Sequence, residues 1–276
     1  MKRRINALVT IDLVFLFLLA AAGSAADELI GNVIYYLAFI LPISIGLIYA
    51  RGFDGELREN GEDTSSDIPA PGISISKRGA ILTLPIIAPT IVLVCIISYL
   101  TALLISALGY SNNFIPDGSF LSSVLMHALI PAVLEELLFR YIPLRILKTS
   151  KKGAVIISSA LFAFAHTSLF QIPYALVAGI ILASVTVATG SILPSLIIHF
   201  INNFISLAFT YGMGGHILPL IGLSLAAISL TIIIIFRNHY LDEIRKIFTS
   251  EKIKVERSLT IFGALSLFLA ITALIL

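Results

Sequence analysis

Tryptophan is absent from the chain, and the single cysteine, Cys95, lies inside an apolar run. One cysteine excludes an intrachain disulfide and a cysteine-based metal site, leaving a small buried hydrophobe as its role. Any aromatic belt must come from tyrosines near run ends, such as Tyr49, Tyr110, Tyr141, Tyr211 and Tyr240. Charge is scarce as well. Charged residues make up 12% of the 276 positions and hydrophobic ones 58%, with a mean hydropathy of +1.02. Soluble domains carry about 25% charged residues, so this scarcity excludes an ordinary soluble domain and points to a multi-pass membrane protein. The bilayer is therefore an expected partner and nucleic acid is not. The net charge of +2 says little, because placement matters more than sum.

What is present is a series of long apolar runs: Ala7–Gly23, Leu29–Ala50, Gly79–Leu108, Phe120–Leu147, Ala154–His166, Ile172–Thr189, Ile192–Tyr211, Ile217–Phe236 and Leu259–Leu276. Most reach the roughly 17–25 residues that a spanning helix needs. The run from Ala154 is short, and Pro85 and Pro89 make the start of the run from Gly79 an interfacial or kinked piece. The first run follows Lys2-Arg3-Arg4 and ends in small residues, as a signal peptide does. Asp12 interrupts it and a second run follows at once, so it is read as a retained helix. The sequence thus predicts an all-α, polytopic membrane helix bundle of eight or nine transmembrane helices, forming one integral membrane domain over 1–276.

Threading nine spans from an inside N-terminus puts all 18 Lys and Arg residues at inner ends or inner connections. The positive-inside rule therefore predicts a cytoplasmic N-terminus in a multi-pass protein, of the plasma membrane in a prokaryote. Residues 51–78, rich in Gly, Ser and Pro, read as a flexible cytoplasmic loop. Residues 237–258, basic with interspersed apolar side chains, read as a cytoplasmic interfacial connector. No inverted repeat of the transporter kind is visible.

One stretch needs a chemical explanation. Pro131-Ala132-Val133-Leu134-Glu135-Glu136-Leu137-Leu138-Phe139-Arg140 places three charges inside a membrane run, each costing about 2.5–3.5 kcal/mol at the bilayer centre on insertion scales. Glu136 and Arg140 lie at i and i+4 and can neutralise each other as a supporting ion pair. Glu135 points about 100° away and needs another partner. Candidates from other runs are His166 and the pair His199 and Asn203, whose i,i+4 spacing puts them on one helix face. At 1.5 Å per residue, Glu135, His166 and Asn203 lie about 18–20 Å from the inner helix ends, and His199 about 12 Å. Such a layer suggests water activation: a desolvated carboxylate as general base, an imidazole to hold the water, and donors for a developing oxyanion. Two His and a Glu also suit a zinc site, but no His-Glu-x-x-His segment is present. A proton relay in a proton-coupled transporter is a competing use of the same groups.

Glu135-Glu136-x3-Arg140, then Phe162-x3-His166, then His199-x3-Asn203, on successive membrane helices, resemble the CAAX prenyl endopeptidase and bacteriocin-processing family of intramembrane proteases, also called ABI or CPBP. The resemblance covers roughly Phe120 to Tyr211, so 119–211 would hold the catalytic helices. It implies a helix bundle around a conical cavity open to the cytoplasm, and an endopeptidase working by glutamate-activated water without a metal cofactor, zinc being the alternative. Glu135 would activate water with help from His166, His199 and Asn203 would form the oxyanion hole, and Glu136 and Arg140 would support the site. The implied substrate is a protein or a lipidated peptide, including the C-terminal tripeptide of prenylated Cys-a-a-X proteins. A non-catalytic immunity or scaffold role is the other outcome that the resemblance allows.

Overall fold

A computed structural model describes residues 2–23, 28–59, 71–74, 76–110, 119–147, 150–166, 168–213, 215 and 217–248. They form helices α1 (Lys2–Gly23), α2 (Glu28–Glu59), α3 (Lys77–Ala107), α4 (Phe120–Ile146), α5 (Lys151–Ala165), α6 (Ile172–Thr189), α7 (Leu193–Thr210), α8 (Ile217–Ile235) and α9 (Arg237–Phe248). No strand occurs among the described residues, so the fold is all-α as expected.

The described residues do not confirm the count of eight or nine spans. Six described helices are long and apolar enough to cross a membrane, or seven if α8 and α9 form one span broken by an 82° bend. The fifth expected span, α5, has 15 residues and reaches only about 22 Å, short of a hydrocarbon core of about 30 Å. The ninth expected span, Leu259–Leu276, lies outside the described residues, as does the rest of the connector after Phe248.

Backbone groups in lipid must be satisfied from within the chain, and the helix ends show how. Ser76, Ser119 and Ser150 each accept a hydrogen bond from a first-turn backbone N–H of α3, α4 and α5. Gly190 closes α6 in the left-handed region at φ 67°, which a glycine adopts without steric penalty. Hydroxyls inside apolar helices turn onto their own backbone, as Thr83 does to the Gly79 carbonyl at 2.7 Å. Pro85 and Pro89 are absorbed within α3, which is one helix from Lys77 to Ala107 rather than an interfacial piece followed by a span.

The stretch read as a loop over 51–78 contains helix and a backbone bridge among its described residues. α2 continues through Arg51 to Glu59, and Gly72 pairs with the α6–α7 turn. Its N–H donates to the Gly190 carbonyl at 2.8 Å, and its carbonyl accepts from Ile192 at 3.0 Å.

The core joins α1, α2, α4 and α5, with Ile5, Leu8, Phe15, Phe39, Phe139 and Ile142 buried together. α5 and α6 pack as a hairpin, α3 lies against α6, α7 and α8, and α7 lies against the first half of α4. Outward faces carry large apolar side chains, Phe17 and Leu121 being over 70% exposed. A lipid-facing surface explains a degree of apolar exposure that soluble monomers avoid.

The basic residues gather at one end of the bundle. Arg4 donates to the Ile146 carbonyl at the end of α4 and stacks on Phe53 near the end of α2. Lys151 and Lys152 start α5 beside it. α9, with Arg245 and Lys246 in its last turn, packs on α5 and α6.

Candidate active site

α4 is not a regular helix. Two wide π segments, Val124–Leu129 and Leu137–Tyr141, bracket the seven residues Ile130–Glu136. A proline follows each π segment by two residues, Pro131 after the first and Pro143 after the second. Proline lacks the N–H that continues the α ladder and crowds the carbonyl four residues back, and a wider turn relieves both. The two widenings set the rotation at which Glu135 and Glu136 enter the bundle. Ser158 of α5 donates to the Phe139 carbonyl inside the second widening.

Glu136 and Arg140 are completely buried, and Arg140 Nη1 lies 3.2 Å from Glu136 Oε1. The guanidinium also sits 3.9 Å from the centre of the Phe162 ring, a cation–π contact of about 2 kcal/mol when desolvated. The expected ion pair is thus formed, with an aromatic plate on its other side.

His199 connects the two carboxylates. Its Nδ1 lies 2.9 Å from Glu136 Oε1 and its Nε2 3.6 Å from Glu135 Oε2. A carboxylate accepts, so Nδ1 carries the proton and donates it to Glu136, which fixes the ring and aims Nε2 at Glu135. Sequence reasoning gave Glu136 a single partner, Arg140; packing gives it a second from α7.

His166, at the end of α5, holds Nδ1 2.8 Å from the Phe162 carbonyl. A carbonyl only accepts, so Nδ1 is the donor and Nε2 keeps its lone pair. Phe162 packs edge-on against both imidazoles, at 4.7 Å from His166 and 5.6 Å from His199 between ring centres. One side chain therefore fixes Arg140, His166 and His199 together.

These groups border a cavity of about 320 Å³ lined by α2, α3, α4, α5, α6 and α7. Glu135, His166, His199 and Asn203 all face it, while Glu136 and Arg140 lie behind the wall. Asn202 lines it beside Asn203, its amide 3.5 Å from the Asn203 oxygen. Asn202, three residues from His199, also lies toward its face, but sequence reasoning passed over it because the motif that carried the reading takes only His199 and Asn203. Tyr35 of α2 and Tyr174 of α6 also line it, and no motif marked either.

Catalytic zinc takes three protein ligands at about 2.0–2.2 Å, and among the described residues no three His, Cys, Asp or Glu side chains converge that way. His199 Nδ1 and Glu136 are already committed to each other.

Residues 117–205 match the family model described as type II CAAX prenyl endopeptidase Rce1-like. Neither a curated protein nor a solved structure matches the chain. The matched segment runs from just before α4 to the middle of α7 and contains Glu135, Glu136, Arg140, His166, His199 and Asn203. Over that segment, about a third of the chain, the protein is similar to the Rce1-like family of type II CAAX prenyl endopeptidases.

Proposed function

We propose that this protein is an intramembrane endopeptidase that hydrolyses a peptide bond with water activated by Glu135. The observation that carries the reading is a carboxylate facing a cavity within the bundle, with the fixed imidazole of His199 at 3.6 Å and His166 across the same space. Glu135 takes a proton from water, with the His166 Nε2 lone pair as the second acceptor, and the hydroxide forms a bond to the carbonyl carbon. The oxyanion that results takes hydrogen bonds from the Asn203 and Asn202 amides and from the His199 edge. Collapse breaks the C–N bond, and the proton held by Glu135 or His166 passes to the leaving nitrogen, giving an acid and an amine. No covalent enzyme intermediate forms. Glu136 and Arg140 act through His199 and Phe162 as positioning residues.

The substrate in this reading is a protein or lipidated peptide met within the bilayer, the prenylated Cys-a-a-X C-terminus being the form that the family description suggests. The test offers purified protein a prenylated Cys-a-a-X peptide and an unmodified peptide in detergent. Cleavage lost with Glu135→Ala and unchanged by a chelator is the expected result. Proton-driven uptake into liposomes, with no cleavage of any peptide, would replace the protease reading by a transporter.

A further inference from the structure

The cavity and the basic end of the bundle lie at opposite ends of the same helices. Along α4, Arg140 and Glu136 are completely buried, the Glu135 side chain is 17% exposed, and His127, two turns further from the basic end, is exposed while lining the cavity. α7 repeats the gradient: Ser195 is buried, His199 nearly so, and the cavity-lining Ser206 and Thr210 are exposed. The basic end, by contrast, is closed over the site by the buried Glu136–Arg140 pair and the core around Ile146 and Leu147. Among the described residues no Lys or Arg lies at the α4 start, the α7 end or the α5–α6 turn, where the cavity is lined by exposed groups.

We propose that the cavity admits its polypeptide from the face opposite the basic end, which the positive-inside rule makes the non-cytoplasmic face. The substrate is then an exported segment of a membrane-anchored or translocated protein in place of the prenylated Cys-a-a-X C-terminus that the family description suggests, and the opening departs from the cytoplasmic cavity that the resemblance implies. Polar groups around the mouth, such as Gln171, Asn202, Ser206 and Thr210, suit the backbone of an extended peptide. The proposal rests on the protease reading for the identity of the cargo, whereas the side on which the cavity opens stands on geometry and charge alone.

The test uses single-cysteine variants of the full chain in a Cys95→Ala background. Ser206→Cys reports the cavity and Lys152→Cys the basic end. Intact cells are treated with a membrane-impermeant maleimide, then permeabilised and treated again. The expected result is labelling of Ser206→Cys before permeabilisation and of Lys152→Cys only after it. The reverse order overturns the proposal, as does labelling of both before permeabilisation, or of Ser206→Cys at no stage. Labelling needs no turnover, so an inactive protein with the expected pattern sinks the protease reading alone.

Discussion

A carboxylate pair separated by one peptide bond performs two tasks here because the helix turns them to different neighbours. Glu135 faces the cavity, and Glu136 is buried between Arg140 and His199. Replacing Glu135 by Gln keeps shape and removes the carboxylate proposed as the base, so turnover should fall by at least about 100-fold with thermal stability unchanged, measured by peptide cleavage and a melt in detergent. Glu136→Ala should behave differently. It strands the Arg140 guanidinium, and breaking a buried pair costs about 3–5 kcal/mol. The melting temperature should drop sharply, and Glu136→Leu combined with Arg140→Leu should recover part of it, because neither partner is then left charged. An undiminished melt in Glu136→Ala would show that the pair contributes nothing to the fold. The Glu136–Arg140 contact was legible in the sequence because i,i+4 spacing alone dictates it. The Glu136–His199 bond was not, since the two residues are 63 positions apart and only the packing of α4 on α7 makes them neighbours.

At the scale of the helix, the site depends on departures from regular geometry. Pro131 was visible in the sequence as a break one turn before Glu135, but nothing in the one-dimensional pattern gave a π turn or its sense of rotation. Pro131→Ala restores the missing N–H and lets the first widening relax toward the α register. Because one residue of register is about 100° of rotation, the expected outcome is a large loss of turnover in a folded protein, read by cleavage beside an unchanged elution volume. α6 supplies a second device. A Cβ on Gly179 would lie 3.2 Å from Ser159 and 3.3 Å from the Phe162 ring, so its absence eases this approach of α6 to α5. Gly179→Ala asks its neighbours to give by a few tenths of an ångström and should be mild. Gly179→Leu must displace Phe162, and with it the contacts to Arg140, His166 and His199. Activity should then fall by about tenfold or more, as misplacement of catalytic groups by an ångström does.

Across the whole molecule, the first helix is what ties the membrane bundle to its chemistry. A series of edge-to-face ring contacts runs from Phe39 of α2 to Phe15 of α1 at 4.8 Å, from Phe15 to Phe139 of α4 at 5.8 Å, and from Phe139 to Phe162 of α5 at 5.6 Å. Phe162 then meets both imidazoles. Ile5, Leu8 and Ile11 bury themselves in the same core, so α1 packs as a member of the bundle. Its helical, apolar character was readable in the sequence, whereas its place against α4 was not. Helix association in lipid draws on packing rather than on expulsion of water, so a void inside this ring series loses contacts that nothing replaces. Phe15→Ala should destabilise the protein by about 3–5 kcal/mol, the range for deleting a buried phenyl ring. Turnover just below the lowered melting temperature should fall as Phe139 and Phe162 lose support, and recover with Phe15→Leu, which refills most of the volume. Equal melting of Phe15→Ala and the parent would mean that α1 merely lies beside the bundle, and that the site is held by α4, α5 and α7 alone.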